Sequence, residues 1–457
     1  MDQIKTDICI IGAGSGGLSV AAGAVQMGAK VVLIEGHKMG GDCLNYGCVP
    51  SKALLAAGKM VPKPDFAAAK DHVQRVIETI APVDSQERFE GLGVRVIRAQ
   101  AKFISKTAVQ AGDTVVTARR FVIATGSGPL IPGIPGLDDV AVQTNETIFE
   151  LRDRPRHLLI IGGGPIGMEM AQAHLRLGCK VTVVEAAKAM GKDDPELAAM
   201  LLQSLRTEGV QIVEDAKAER ISGIDGDITV HTSKGDFRGS HLLMAVGRKV
   251  NVVGLNLEAA GVAFDQKGVR VGRDLRSVTN KRVYAIGDAA GGSQFTHLAG
   301  YHAGVIIRSM LFGLPSKQRT DHIPWATYTM PELAQVGLTE AQAKSRYGAG
   351  LAVVRSDMAH NDRAITSGQT QGWIKVMVVR GRPVGASILA DDAGELIGLW
   401  AMAIANRLKM TAIANTVLPY PTRGEVNKRA AGAYFSPRLF DSAVIKRIVG
   451  LVQRFLP

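Results

Sequence analysis

Two strand-sized apolar runs recur along the chain, and each is followed by a glycine-rich turn and a helical stretch. The first copy covers residues 8–17 and leads to an apolar strand at 31–35, and the second covers residues 158–167 and leads to 181–185. The copies have a constant offset of 150 residues. Each predicts a strand, a turn, a helix and a second strand that ends in an acid, which is the order of a dinucleotide-binding unit.

Each copy contains three spaced glycines and a terminal glutamate. They are Gly12, Gly14, Gly17 and Glu35 in the first copy, and Gly162, Gly164, Gly167 and Glu185 in the second. The first glycine permits a tight turn, the second lets the backbone approach a pyrophosphate, and the third lets the helix pack near the strand. The helix N-terminus offers N–H groups to phosphates, and the acid accepts hydrogen bonds from ribose hydroxyls. We therefore expect two bound dinucleotides, one in each half.

Three further apolar strands end in glycine, which would let a cofactor approach the backbone. These strand-end residues are Gly126, Gly247 and Gly287, with Asp288 directly after the last. The Asp288 carboxylate could accept a hydrogen bond from a polyol chain, although an ordinary Gly-Asp turn explains that pair equally well.

Length, composition and charge narrow the class of protein. The 457 residues indicate two to four domains, and 46% hydrophobic content with 52 glycines fits a compact α/β enzyme. The net charge of +12 comes from scattered basic residues, so we expect a basic soluble enzyme without a nucleic-acid partner. We find no signal peptide before the first apolar run and no stretch that could span a membrane, which predicts a cytoplasmic protein.

Two of the four cysteines, Cys43 and Cys48, lie close together in sequence. Redox chemistry is favoured over a zinc site because His37 alone does not complete a ligand set, and two structural cysteines remain the alternative. The Val-Pro after Cys48 predicts a helix that starts at Cys48, where the helix dipole stabilises a thiolate. Lys52 lies one turn further on the same face, and Glu169 is a candidate counter-charge.

The segment 41–52 (Gly-Asp-Cys-Leu-Asn-Tyr-Gly-Cys-Val-Pro-Ser-Lys), with the two glycine motifs, resembles the class I pyridine nucleotide–disulfide oxidoreductases. This is the family of dihydrolipoamide dehydrogenase, glutathione reductase and mercuric reductase. The resemblance covers essentially the whole chain. It implies an α/β fold with two Rossmann-type dinucleotide-binding domains, one for FAD and one for NAD(P), and an α+β C-terminal dimerisation domain.

The resemblance also implies domain boundaries and a homodimer. The implied domains are 1–148 for the first part of the FAD-binding domain, 149–275 for NAD(P), 276–320 for the FAD return segment, and 321–435 for the interface domain. A C-terminal amphipathic helix over 436–457 would follow. FAD would contact Gly12, Gly14, Gly17, Glu35, Gly126, Gly287 and Asp288, and NAD(P)H would contact Gly162, Gly164, Gly167, Glu185 and Gly247.

Roles in the reaction are implied by the family as well. Hydride would pass from the nicotinamide to the flavin, which reduces the disulfide of Cys43 and Cys48. Cys48 would be the thiolate next to the flavin, and Cys43 the interchange thiol that attacks the substrate. Lys52, paired with Glu169, would lie by the flavin ring and tune its electrophilicity. No resident metal ion is implied.

One departure from the family pattern concerns the catalytic acid–base. Disulfide-reducing members have a His-Pro and a glutamate near the C-terminus, where this chain has Tyr420-Pro421 and Glu425. A tyrosine with a pKa near 10 is a poor base at neutral pH, so efficient lipoamide or glutathione turnover is in doubt. Tyrosine here resembles mercuric reductase, which reduces a soft metal ion bound by thiolates. Mercuric reductases also carry a C-terminal cysteine pair, and this chain ends without one.

Three functions therefore stay open. The main hypothesis is a dithiol/disulfide oxidoreductase similar to dihydrolipoamide dehydrogenase, and the alternative is reduction of a thiophilic ion such as Hg(II) or Cu(II). The third is a flavoprotein that reduces quinones or oxygen. Glu185 would repel a 2′-phosphate, which favours NADH over NADPH, although Lys188 and Lys192 could weaken that preference.

The last residues have apolar side chains at helical spacing with basic residues between them. A basic amphipathic helix on an anionic membrane surface is one interpretation. A terminal helix packed on its own subunit or on the dimer partner is the interpretation favoured by the sequence, because most amphipathic helices simply pack.

Overall fold

The structure, a computed structural model, describes residues 2–456. These residues form two compact units. The first unit contains residues 2–186 and Val213–Arg319, and the second contains Ala187–Ile212 and residues 320–456. The division into five segments suggested by the sequence remains a prediction.

The strands are β1 (Asp2–Ile11), β2 (Val31–Glu35), β3 (Arg95–Arg98), β4 (Ala101–Ser105), β5 (Ala108–Ala111), β6 (Thr114–Ile123), β7 (Ser127–Pro129), β8 (Val142–Gln143), β9 (His157–Ile161), β10 (Lys180–Val184), β11 (Gln211–Val213), β12 (Ala218–Ile224), β13 (Asp227–Thr232), β14 (Gly235–Gly239), β15 (His241–Met244), β16 (Arg248–Val250), β17 (Phe264–Asp265), β18 (Gly268–Val269), β19 (Val283–Ala285), β20 (Pro324–Thr327), β21 (Glu332–Gly337), β22 (Leu351–Asp357), β23 (Trp373–Val379) and β24 (Arg382–Ala390).

The helices are α1 (Ser15–Gln26), α2 (Gly41–Asn45), α3 (Cys48–Ala57), α4 (Phe66–Ile80), α5 (Gln86–Gly91), α6 (Pro165–Arg176), α7 (Pro195–Glu208), α8 (Thr296–Phe312), α9 (Glu340–Tyr347), α10 (Asp362–Thr366), α11 (Ala393–Ala405), α12 (Met410–Ala414), α13 (Glu425–Phe440) and α14 (Ala443–Phe455).

The first glycine motif lies at the centre of a seven-stranded sheet with the order β3-β2-β1-β6-β5-β4, in which β19 also pairs with β6. β1 is parallel to both β2 and β6, with residues 8–11 opposite 31–34 and 120–123. Residues 8–11 are almost completely buried because they form a central parallel strand covered on both faces. The predicted strand–turn–helix–strand unit is therefore confirmed as β1, α1 and β2.

The second motif repeats this arrangement in a sheet with the order β11-β10-β9-β15-β8. β9 and β10 are parallel, with residues 157–161 opposite 180–184, and α6 connects them. Ligands bind beyond the carboxyl ends of parallel strands in such sheets, where the two glycine turns lie. The α/β fold class with two dinucleotide-binding folds is thus confirmed.

The second unit is built on an antiparallel sheet with the order β20-β21-β24-β23-β22. α11 packs on this sheet, and its Trp400 is fully buried and donates a hydrogen bond to Asn427 of α13 over 2.8 Å. Lys375 of β23 is also buried, and its ammonium group lies 2.9 Å from the buried carboxylate of Asp194. This buried ion pair ties the start of α7 to the sheet of the same unit.

The C-terminal helix differs from the sequence prediction in where it begins. Residues predicted as its start belong to α13, and α14 begins only at Ala443 because the Ser442 hydroxyl caps it by accepting the N–H of Ile445. None of the residues of α14 is buried by the rest of the described chain, and packing of the helix on its own subunit or on the dimer partner remains a prediction. None of the helices in residues 2–456 is both long and apolar enough to cross a bilayer.

Candidate active site

The redox cysteines lie on two short helices that follow the first glycine motif. Cys43 is in α2, and α3 begins at Cys48, as the sequence predicted. Gly41 has a φ of +61°, and a Cβ there would lie 2.7 Å from the Cα of Gly14. Only glycine therefore lets α2 lie directly against the first glycine turn. Both cysteines are free thiols, and Cys48 is exposed.

The surroundings of the two thiols separate their protonation states. The hydrogen bond from Cys43, together with Thr296 and the positive charge of Lys52, lowers the pKa of Cys48 to about 6 against the opposing effect of burial. The same hydrogen bond, followed by burial, raises the pKa of Cys43. At neutral pH the pair therefore holds one thiolate on Cys48 and one thiol on Cys43, and only the thiolate is nucleophilic.

Thr296 is a site residue that the sequence analysis missed. Its hydroxyl lies 3.3 Å from the sulfur of Cys48, although the two residues are 248 positions apart. Thr296 is the first residue of α8, so the same helix start faces the thiolate. No local motif marks this threonine, because the contact depends on how α8 packs in the first unit.

Lys52 and Glu169 form the ion pair that the sequence suggested. The ammonium nitrogen of Lys52 lies 2.8 Å from Oε2 of Glu169, whose side chain is only 6% exposed. Lys52 is in α3 and Glu169 is in α6, so the pair connects the cysteine-bearing helix to the helix of the second glycine motif. Its role beside a flavin remains a prediction.

A second charged network links the cysteine loop to Asp288. The guanidinium group of Arg248 lies 3.1 Å from the carboxylate of Asp42 and donates a 2.7 Å hydrogen bond to the hydroxyl of Ser127. The Ser127 hydroxyl in turn donates a 2.5 Å hydrogen bond to the carboxylate of Asp288. Burial raises the pKa of Asp288. Arg248 follows the predicted glycine Gly247, yet its bridging position was not foreseen, because it requires β16 to pair with β7.

The first glycine turn has the shape needed for a dinucleotide. Gly12 has a φ of +106°, and a Cβ on Gly17 would lie 1.9 Å from the carbonyl oxygen of Gly12. A Cβ on Gly14 would meet no atom closer than 3.9 Å, which leaves the backbone open for a phosphate. Glu35 accepts the N–H of Ala13 at 2.6 Å, so the acid also closes the turn. These residues fit FAD.

The second turn has the same construction. Gly162 has a φ of +115°, a Cβ on Gly167 would lie 2.0 Å from the Gly162 oxygen, and a Cβ on Gly164 would meet nothing within 4 Å. The Glu185 carboxylate accepts the N–H of Gly163 at 2.7 Å. The close agreement of the two turns fits a second dinucleotide, NAD(P), at this position.

The remaining glycines lie at strand ends, as the pattern suggested. Gly126, Gly247 and Gly287 all have positive φ angles, of 66°, 143° and 58°. Nothing lies within 4 Å of a Cβ built on Gly126, whereas Ala299 lies 2.9 Å from one built on Gly287. Gly126 is therefore open to a ligand, and Gly287 is enclosed by its own unit.

Tyr420 and Glu425 belong to the second unit. The Tyr420 side chain is exposed and donates a 2.8 Å hydrogen bond to Asp362. This bond, with the negative charge around it, raises the pKa of Tyr420. Glu425 is the first residue of α13, and one of its carboxylate oxygens is buried without a hydrogen-bond partner among the described residues.

No group of three or more His, Cys, Asp or Glu side chains within residues 2–456 is arranged to hold a metal ion. The candidate site is thus a thiol pair, two glycine turns and their supporting polar groups.

Two family profiles match this chain in succession. The pyridine nucleotide-disulphide oxidoreductase profile covers residues 6–303, and the dimerisation domain of the same family covers residues 323–431. The chain belongs to this family. It is an FAD- and NAD(P)-dependent oxidoreductase that acts on a sulfur group or a metal ion, and its dimerisation domain implies a homodimer.

Individual relatives span almost the entire oxidoreductase. The mercuric reductase of Bacillus cereus is 34% identical over 93% of this chain and 70% of its own length. The dihydrolipoyl dehydrogenase of Bacillus subtilis is 30% identical over 92% of this chain and 96% of its own length. The Cu(II) complex of the HOCl-induced flavoprotein disulfide reductase RclA from Escherichia coli has a TM-score of 0.86 at 29% identity, covering 94% of this chain and 99% of that one.

Proposed function

We propose that this oxidoreductase uses NADH to reduce a thiophilic metal ion, Hg(II) or Cu(II), held by Cys43 and Cys48. The observation that carries the proposal is the state of Tyr420, which by sequence register takes the place of the family's catalytic histidine. Its hydroxyl donates a hydrogen bond to Asp362, and this bond raises the pKa of Tyr420 above the usual value. A group of this kind cannot remove protons from a dithiol efficiently at neutral pH.

Metal transfer needs less proton movement than dithiol exchange. A soft ion that arrives on a thiolate ligand can exchange onto the Cys48 thiolate, which the site already holds near neutral pH. Cys43 would become the second ligand when its proton leaves. For Hg(II) the balance is two electrons from NADH, giving Hg(0), NAD⁺ and one proton.

Residues of the first unit would hold the cofactors. Gly12, Gly14, Gly17 and Glu35, with Gly126 and Asp288, would bind FAD, and Gly162, Gly164, Gly167, Glu185 and Gly247 would bind the nicotinamide dinucleotide. When bound, FAD supplies two-electron chemistry between NADH and the cysteine pair. Lys52 keeps positive charge near Cys48, and Glu169 fixes the direction of the lysine side chain.

The relatives support this choice without deciding it. Mercuric reductases are among the similar proteins at up to 34% identity, and the similar RclA structure is a Cu(II) complex. Dithiol chemistry is the second candidate, because the dihydrolipoyl dehydrogenase is 30% identical over nearly the same length.

The preference for NADH rests on Glu185. Its carboxylate lies at the end of β10 and faces the second glycine turn, where it would repel a ribose 2′-phosphate. We expect kcat/KM for NADH to exceed that for NADPH by about tenfold or more, which corresponds to roughly 1.4 kcal/mol. Equal values for the two donors would contradict the assignment.

The test compares acceptors on one purified, FAD-loaded enzyme. NADH oxidation is followed with Hg(II) in excess thiol, with Cu(II), with lipoamide and with a quinone. We expect Hg(II)- or Cu(II)-dependent turnover that disappears in Cys43→Ser and Cys48→Ser, and weak activity with lipoamide.

A Tyr420→His variant distinguishes the two candidates. If the missing imidazole limits dithiol chemistry, lipoamide turnover should rise by about 10²-fold while metal-dependent turnover stays within about threefold. Efficient lipoamide turnover by the unmodified enzyme would overturn the metal proposal. Quinone reduction that survives both serine variants would instead support the third function.

A further inference from the structure

The terminal helix α14 presents an apolar face that no other described residue covers. Val444, Ile448, Leu451, Val452 and Phe455 recur at helical spacing, and all five are exposed. Leu451 is 57% exposed and Phe455 71%. Isolated apolar residues on a surface need no explanation, but a contiguous face of this kind marks an interaction site.

The rest of α14 is basic. Arg447 and Arg454 lie one turn from Leu451 at the edge of the apolar face, Lys446 lies on the opposite side, and the helix contains no acidic residue. A helix of 13 residues at 1.5 Å per residue is about 20 Å long, too short to cross a bilayer. An apolar face bordered by basic residues is the pattern of a helix that lies in the plane of an anionic membrane surface.

α14 begins after the end of the matched dimerisation domain. The profile of the dimerisation domain ends at residue 431, whereas α14 begins at Ala443. The RclA structure is matched over 99% of its length but covers only 94% of this chain. α14 therefore lies outside the residues that the dimerisation profile matches.

We infer that α14 docks this oxidoreductase on a phospholipid surface that contains anionic headgroups. The apolar face enters the boundary between headgroups and acyl chains, and the three basic side chains reach the lipid phosphates. A second copy of α14 is a poorer occupant, because each helix carries three basic side chains and no acid that could pair with the basic side chains of the other.

The test is sedimentation of the full-length, FAD-loaded protein with vesicles of phosphatidylcholine, with and without phosphatidylglycerol. Each basic side chain near an anionic surface contributes about a fivefold gain in partitioning, so three should give roughly a hundredfold gain on the anionic vesicles. Added salt should reduce the binding.

Two matched substitutions locate the contact. Leu451→Glu and Gln453→Glu each add one negative charge to an exposed position of α14, but only the first is on the apolar face. We expect Leu451→Glu to lower binding to anionic vesicles by at least about tenfold and Gln453→Glu by about fivefold or less. NADH oxidation should be equal in both variants, which shows that they are folded.

Absence of binding by the unmodified protein would overturn the proposal, and so would equal binding by the two variants. A change in molar mass by light scattering in Leu451→Glu, without any vesicle binding, would assign the face to contacts between copies. These outcomes are independent of which acceptor the thiol pair reduces.

Discussion

The thiolate on Cys48 depends most strongly on its hydrogen bond from Cys43, which makes Cys43→Ala an informative perturbation. With a pKa of about 6, roughly nine-tenths of Cys48 is ionised at pH 7. A cysteine at the usual pKa of about 8.5 is only about 3% ionised. A return of the Cys48 pKa to its usual value would thus lower the thiolate fraction at pH 7 about thirtyfold. We expect a decrease of about tenfold in Cys43→Ala, because Thr296 and Lys52 still lower the pKa.

The assay is alkylation of the reduced enzyme by iodoacetamide across a pH series, with the modified peptides quantified by mass spectrometry. The rate at Cys48 should rise through a midpoint near pH 6 in the unmodified enzyme and at a clearly higher pH in Cys43→Ala. Cys9 and Cys179 act as internal controls, because burial raises their pKa values, that of Cys179 to about 11. Both should react slowly throughout the series.

Cys43→Ser is the matched control, since serine keeps a hydroxyl donor at the same place. Its midpoint should stay within about one pH unit of the unmodified enzyme. The reasoning is refuted if Cys48 titrates near pH 8.5 in the unmodified enzyme, or if alanine and serine give the same profile.

Three further predictions concern the room around the glycines of the second turn and two buried lysines. Gly164→Ala should leave the melting temperature within about 2 °C of the unmodified value but raise KM for NADH about tenfold. Gly167→Ala should lower both the melting temperature and the affinity for NADH, because its Cβ would lie 2.0 Å from a backbone oxygen. Equal effects of the two substitutions would contradict a phosphate site at Gly164. Lys375→Met should lower the free energy of unfolding, measured in urea, by about 3–5 kcal/mol, because it leaves Asp194 buried without its partner. The exposed Lys344→Met should lower it by less than about 0.5 kcal/mol. Similar losses in the two variants would mean that the buried ion pair does not stabilise the protein. Burial lowers the pKa of Lys70 to about 7, so the native state binds fewer protons than the unfolded state from about pH 7 to 10. The unfolding free energy should therefore rise with pH in this window by up to about 1 kcal/mol per unit, and Lys70→Met should remove the slope; an unchanged slope would exclude this group.

The parts of the site that the sequence predicted are those marked by local physics. A proline after Cys48 and a cysteine at a helix start are adjacent in the chain, so the reactive thiolate could be foreseen. The glycine turns could also be predicted from the sequence, because each turn depends on the backbone conformations of a few neighbouring residues. Glu169 could be named as a candidate partner for Lys52 because a buried lysine needs a counter-charge.

The contacts that escaped prediction join residues distant in sequence. Arg248 reaches Ser127 across 121 positions, and Thr296 reaches Cys48 across 248. Neither arginine nor threonine is unusual at a strand or helix end, so no pattern distinguishes them before the sheets are assembled. The exposure of α14 was also unpredicted, because hydrophobic periodicity reports a face but not what covers it.

The two glutamates at the ends of β2 and β10 each hold a glycine turn through a backbone N–H. This has a consequence for redesign of coenzyme preference. Replacing Glu185 by arginine would attract a 2′-phosphate but would also remove the acceptor of the Gly163 N–H in the turn that we propose binds the pyrophosphate. A variant designed to accept NADPH would therefore need to keep a hydrogen-bond acceptor at position 185 and to place the added positive charge on another residue.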